Sequence, residues 1–422
     1  MKRYTLANGL VVILQPIEHA VSASVGLWVK TGSRDELPEQ YGYAHFVEHM
    51  LFKGTPRYTA KELAQLVDRI GGQHNAATNK EYTCYYLNVV SDYCVTAVDV
   101  LADMFYNPLF IDAEIEKEKG VVIEEIGMYE DTPDEHIHDL FTSVMFNGHP
   151  LAHLILGTNE SVSTISRDTI TSFYNSCYGT GNSVLVVAGC FDLEEITLKI
   201  EECFAQKRGY EKNIDLSSVY SQMNTERIYR HHVDRELEQV HFCLGVDGYK
   251  KQVADRWALY LVSTILGGSM SSRLFQRVRE DEGLCYSVYS FHSSYRDTGA
   301  FGVYCGTSSE KYERALKLIL DELDIIVNKG ISESELDDAK RFMKGNLALS
   351  LESIEVRMGQ LARDEIHYGS FSSYDDIVKN IFSVTTADFD RVVRDLFNNK
   401  RISLVSIGNK VKYDDRPLYI GQ

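Results

Sequence analysis

The sequence predicts an α+β fold written twice, as two homologous halves that face each other across a cleft like a clamshell. Three observations predict it. Strand-like segments recur in the same order at a period of about half the 422-residue chain. Long amphipathic helices follow them in runs, without the regular alternation of a parallel α/β sheet. A polar stretch from Tyr210 to Thr225, containing Asn213-Ile214-Asp215-Leu216-Ser217-Ser218, separates the two sets. The expected boundaries are a first half at 1–209, a linker at 210–228 and a second half at 229–422.

In chain order, residues 10–30 alternate in hydrophobicity (Val25, Leu27, Val29) and read as strands, as do residues 240–246. A helical segment follows each, at 41–53 and 254–266. Strands come next, Tyr82 to Val90 in the first half and Gly299 to Thr307 in the second. Long helices then open at Phe110-x4-Ile115-x3-Lys119 and at Ile331-x4-Leu336-x3-Lys340, both on an acidic first turn that suits a helix start. Each half closes on a β-rich segment, Ser183 to Gly189 and Ile402 to Gly408.

Composition narrows the function. The chain is 44% hydrophobic and 25% charged, enough apolar residues for two or more cores and no sign of disorder. A formal charge of −18 repels phosphates, so a nucleic acid partner is not expected, whereas a basic peptide is compatible. No uncharged run is long enough to span a bilayer, and the start carries no apolar stretch of signal-peptide length. The eight cysteines never occur as Cys-x-x-Cys, which fits free thiols in a reducing cytoplasm and argues against a cysteine-bound metal.

Between Tyr43 and Lys53 there is no proline or glycine, and the segment contains His45-Phe46-Val47-Glu48-His49. On a helix, His45 and His49 lie one turn apart on one face, where both imidazoles can reach one metal ion. Glu48 falls between them, placed to take a proton from a water on that metal. This is the H-x-x-E-H order, the reverse of the commoner H-E-x-x-H zinc helix. The second half has only His231, His232, His241, His292 and His367 and no such motif, so catalysis is expected in the first half and binding in the second. His136, His138, His231 and His232 read as solvated or structural.

A catalytic zinc takes three protein ligands and keeps one position open. The third is sought in Glu114-Ile115-Glu116-Lys117-Glu118-Lys119-Gly120-Val121-Val122-Ile123-Glu124-Glu125-Ile126, a helix whose Ile115, Val122, Ile123 and Ile126 face a core. Glu118 and Glu125, two turns apart, point the same way. Spacing alone leaves Glu124 open beside Glu125.

Gly32-Ser33-Arg34-Asp35-Glu36 followed by Gly42-x-Ala44-His45-x-x-Glu48-His49-Met50-x-Phe52-Lys53-Gly54-Thr55 resembles the inverted-motif zinc peptidases related to pitrilysin and insulysin. In size and motif wording it looks most like the mitochondrial processing peptidase branch and its bacterial homologues. The likeness continues through Gly71-Gly72-x-x-Asn75-Ala76-x-Thr78-x-x-Glu81-x-Thr83, His149-Pro150-Leu151 with Gly157-Thr158, and Leu266-Gly267-Gly268. It then runs from Ser272-Arg273-Leu274 into Arg279-Glu280-x-x-Gly283-Leu284-x-Tyr286-x-Val288. It implies one Zn²⁺ per chain held by His45, His49 and Glu125, with Glu118 behind a ligand, and it disfavours Glu124. It also implies that Arg279 and Tyr286 reach across the cleft to the substrate backbone.

The chemistry so implied is metal-assisted hydrolysis of a peptide bond, with Glu48 as proton carrier and Arg279 and Tyr286 as donors to the oxyanion. Asn75-Ala76-Ala77-Thr78 offers a strand edge to which an extended, unfolded peptide adds by main-chain hydrogen bonds. A chain that carries both the metal residues and the Arg279/Tyr286 pair is expected to form a homodimer, with a heterodimer alongside an inactive homologue as the alternative. Two other readings use the same residues. One is a non-catalytic scaffold or peptide-binding subunit. The other is a maturation peptidase dedicated to one cofactor-precursor peptide.

Overall fold

The computed structural model of the protein describes residues 1–210, 227–409 and 417–420, so most of the stretch expected to be a linker lies outside the described residues. The strands form two sheets. The first is built from β1 (Lys2–Thr5), β2 (Val11–Pro16), β3 (Ser22–Val29), β4 (Gln73–Thr78), β5 (Thr83–Val90) and β6 (Ser183–Gly189), in the order β1-β2-β6-β3-β5-β4. The second comprises β7 (Arg230–Asp234), β8 (Val240–Asp247), β9 (Cys285–Ser294), β10 (Gly299–Thr307) and β11 (Ser403–Gly408), in the order β7-β11-β8-β10-β9.

The duplication holds strand for strand. If β1 is set aside as an extra edge, both sheets run first-fifth-second-fourth-third. In each, the first and fifth strands pair in parallel and every other neighbour is antiparallel. The fold is α+β, as the pattern predicted.

Five helices matter for the site: α1 (Tyr43–Leu51), α2 (Ala60–Arg69), α3 (Cys94–Tyr106), α4 (Asp112–Glu130) and α5 (Pro133–Met145). One face of the first sheet buries Val25, Leu27, Val29, Leu87, Leu185 and Val187 with Phe46 and Val47 of α1 and Val98, Leu101 and Phe105 of α3. The other face buries Ile13, Trp28, Val184 and Val186 under Met358 and Ala362 of the helix Ile354–Tyr368. All seven residues of β6 are buried, which is why that strand reads as an unbroken apolar run rather than an alternation.

The chain divides into two compact units that are not separated by a single cut. One spans Met1–Met128, His153–Met223 and Ser350–Phe371; the other spans Tyr129–Ala152, Asn224–Leu349 and Ser372–Gln422. β6 ends at Gly189 and β7 begins at Arg230, so each sheet takes its strands from one stretch of the chain, while α5 belongs to the second unit and Ile354–Tyr368 to the first. Apolar burial explains the exchange. Ile137, Phe141, Val144 and Met145 of α5 pack on Cys243, Tyr304, Val405 and Ile407 of the second sheet. Such side chains contribute roughly 1.5–3 kcal/mol each when fully buried. Gly245 makes room for this helix: a Cβ there would lie 2.2 Å from the Phe141 ring.

Candidate metal centre

α1 lays Ala44, Phe46, Val47, Met50 and Leu51 into the first core, which fixes the rotation of the helix. With that face committed, His45, Glu48 and His49 are left to converge with α4. The Nε2 atoms of His45 and His49 lie 3.2 Å apart. Glu125 Oε2 lies 3.7 Å from the first and 3.6 Å from the second. Ligand atoms held tetrahedrally at about 2.0–2.1 Å from one zinc are separated by about 3.3–3.4 Å, so this triangle is of the size one ion needs. Among the described residues, it is the one group of three His, Cys, Asp or Glu able to hold a metal ion. Its donors, two imidazoles and a carboxylate, suit zinc. Glu124, the alternative that spacing left open, is exposed and outside the group.

Electrostatics favours the neutral, ligand form of His45, whereas the carboxylates of Glu118, Glu48 and Glu125 outweigh burial and raise His49. Burial, aided by the neighbouring His49, pushes His45 down to about 3, so it stays neutral with a lone pair to offer. His49 donates from Nδ1 to Glu118 Oε1 at 2.7 Å, which fixes the tautomer with the Nε2 lone pair facing His45 and Glu125. Burial alone would raise Glu118, but hydrogen bonds from His49 and Lys53, whose Nζ lies 2.6 Å from Oε2, outweigh it and hold the carboxyl below its usual range. Lys53, two residues beyond the end of α1, was not given a role from the sequence. Replacing Glu118 with Gln should weaken zinc binding by roughly 10–100-fold, read by competition with a chelator. Unchanged affinity would remove Glu118 from this role.

Burial raises Glu48, and the Thr78 hydroxyl, hydrogen-bonded to its Oε2, offsets part of that rise. Thr78 thus ties the Glu48 carboxylate to β4, a contact that helical and strand periodicity do not reveal. β4 is the edge strand of its sheet, and Asn75, Ala76, Ala77 and Thr78 pair with β5 on one side only. A cavity of about 290 Å³ opens beside the cluster, lined by Glu48, His49, Phe52, His74, Asn75 and Ala76 among others.

In the second unit, Phe275–Asp281 forms a wide π-type turn that carries Arg279. The register of β9 on β10 passes from Ser287 opposite Gly306 to Cys285 opposite Thr307, leaving Tyr286 as the extra residue of a bulge. Such a bulge re-aims a side chain. Tyr286 is 75% exposed, and the Arg279 guanidinium lies 4.9 Å from its ring centre and 3.6 Å from Glu280 Oε1.

Comparison with known proteins decides the family. Residues 11–159 match the family model described as insulinase (peptidase family M16), and residues 164–343 match the one described as the peptidase M16 inactive domain. An uncharacterized zinc protease of Bacillus subtilis is 40% identical over 398 residues, covering 94% of this chain and 96% of the relative. One of Streptomyces coelicolor is 37% identical over 417 residues, covering 97% and 89%. The chain belongs to the insulinase family, peptidase family M16. Two solved structures share the fold of this family member. A peptidase M16 inactive domain from Pseudomonas fluorescens has a TM-score of 0.89 at 22% identity and 98% coverage of both chains. A protease from Helicobacter pylori has a TM-score of 0.87 at 23% identity, covering 96% of this chain and 98% of its own.

Proposed function

We propose that the protein is a zinc-dependent endopeptidase acting on unfolded or extended peptides, in presequence processing or in peptide degradation. The observation that carries this reading is the convergence of His45, His49 and Glu125 on a zinc-sized triangle with the Glu48 carboxylate beside it. Zinc bound there supplies a Lewis acid that lowers the pKa of water and polarises the scissile carbonyl. Glu48, held by Thr78, takes the proton of the attacking water and returns it to the leaving amine. Glu118 and Lys53 keep His49 in the tautomer that offers Nε2. The unpaired edge of β4 receives the substrate as an added strand, which reads backbone more than side chains and so demands an unfolded segment. Arg279 and Tyr286 serve as donors to the substrate carbonyl.

One chain carries every residue this mechanism uses, which favours a homodimer over a heterodimer with an inactive partner. Eight free cysteines fit a cytoplasmic setting, and among the described residues no helix is long and apolar enough to cross a membrane.

The test is metal content together with cleavage of a mixture of unstructured peptides. The protein should hold about one zinc per chain, lose cleavage on chelation and regain it with one equivalent of zinc. Cleavage that survives complete metal removal overturns the reading. Zinc-loaded protein that cleaves none of the peptides points instead to a peptide-binding scaffold.

A further inference from the structure

The helix that carries His45, Glu48 and His49 begins without a local cap. Its first residue is preceded by Gly42, which has no side chain to accept from the free amides of the first turn. The missing acceptor comes from six residues upstream. Glu36 is fully buried, at 0% exposure, and uses both carboxylate oxygens on this helix end. Oε2 accepts from the Gly42 amide at 3.0 Å and Oε1 from the Ala44 amide at 2.7 Å.

A second set of contacts grips the same point from the other side. The His153 ring stacks on Tyr41 with centroids 4.0 Å apart and planes 11° apart. Its Nε2 lies 2.5 Å from Ser33 O and 3.4 Å from Glu36 Oε2. Lys80 donates from Nζ to His153 O. Gly42 and Gly157 pass each other at positive φ, +90° and +77°. A Cβ on Gly42 would lie 2.6 Å from Leu156 O, and one on Gly157 would lie 2.5 Å from Tyr41 O. No side chain other than hydrogen fits this crossing.

We propose that Glu36 is a positioning residue. Its carboxylate, backed by the turn at 153–157, sets the height and tilt of α1 and thereby the distance of His45 and Glu48 from Glu125. Burial raises the Glu36 carboxyl well above its usual range, and the Ala44 and Gly42 amides it accepts from, at the positive end of the helix dipole, pull against that rise. The lever is short, because His45 lies one residue beyond Ala44 and the whole helix is nine residues long. A shift of about 1 Å in a catalytic group can cost on the order of a hundredfold in rate. Nothing in Glu36 touches substrate or metal, so its effect must pass through α1.

This proposal rests on the metal site described above, and its two deciding readouts, zinc affinity and amide exchange, do not rely on peptide cleavage. Glu36→Ala and Glu36→Gln are compared with wild type and with Glu124→Gln, a change at an exposed position outside the site. Zinc(II) affinity is measured by chelator competition, and hydrogen exchange at the Gly42 and Ala44 amides is measured in the metal-free protein. We expect Glu36→Ala to bind zinc roughly 10–100-fold more weakly, to exchange both amides faster, and to lower kcat with KM unchanged. Glu36→Gln, which keeps one acceptor, should recover part of each loss, and Glu124→Gln should match wild type.

A folded Glu36→Ala whose zinc affinity and amide exchange stay within about twofold of wild type overturns the proposal. Should the alanine variant fail to fold, the isosteric Gln variant decides by the same two readouts. Wild type that binds zinc but cleaves no peptide would sink the peptidase reading while leaving this one fully testable.

Discussion

Glu48→Gln should retain about one zinc per chain and lose peptide hydrolysis by roughly 10²–10⁴-fold. The substitution keeps the shape of the side chain and the acceptor that Thr78 uses, so α1 and β4 stay in register. None of the three metal-facing atoms belongs to Glu48, so affinity for the ion should move little. What is lost is the ability to take a proton. At about 1.4 kcal/mol per tenfold, the expected loss is about 3–5 kcal/mol of barrier stabilisation. The signature is a fall in kcat with metal content intact, measured on the same preparation. A Gln variant that cleaves an unstructured peptide at the wild-type rate would remove Glu48 from the chemistry, and the proton carrier would have to be sought elsewhere. A variant that loses both zinc and activity would mean that Glu48 shapes the site rather than reacting in it.

The parts of this fold that were legible in the sequence are those whose signal is local. Period-2 and continuous apolar runs marked β3, β5, β6, β8, β10 and β11, because a strand inside a sheet must bury its side chains. β7, with Arg230-His231-His232-Val233-Asp234, is half-exposed and carries no such pattern. β3 shows why alternation understates burial. Val25, Leu27 and Val29 face the helices α1 and α3, yet Trp28 on the opposite face is equally buried, under the helix Ile354–Tyr368. An amphipathic helix announces that it will cover something. It does not announce which sheet, so the exchange of α5 and Ile354–Tyr368 between units could not be read from periodicity.

The same contrast divides the site. His45, Glu48 and His49 sit within five residues on one helix, where spacing dictates geometry. Glu36 acts on that helix from a separate segment, through backbone amides that leave no mark in the side-chain pattern. The choice between Glu124 and Glu125 was also beyond spacing, since neighbours on a helix differ by about 100° and either could face the histidines. Family resemblance selected Glu125, and in the structure that residue, not Glu124, joins the cluster.

That choice gives the second large effect. Glu125→Ala should weaken zinc binding by roughly 10²–10³-fold, while Glu124→Ala should leave it unchanged. The size follows from sharing the roughly 10–16 kcal/mol of a four-ligand protein zinc site among its ligands, about 2.5–4 kcal/mol each. Glu118→Gln, which only loosens His49, should fall between the two variants. The order Glu125→Ala, then Glu118→Gln, then Glu124→Ala is therefore a sharper test than any single value, because it ranks direct ligation above support and support above mere proximity. Chelator competition on the three purified variants measures it directly. If Glu124→Ala loses zinc and Glu125→Ala keeps it, α4 is rotated by about 100° from the arrangement described. The 3.6 and 3.7 Å separations at Glu125 Oε2 would then be incidental. If Glu118→Gln loses as much as Glu125→Ala, the His49 tautomer rather than the carboxylate count limits affinity. The hydrogen bond at 2.7 Å between them would then be the strongest single determinant of the site.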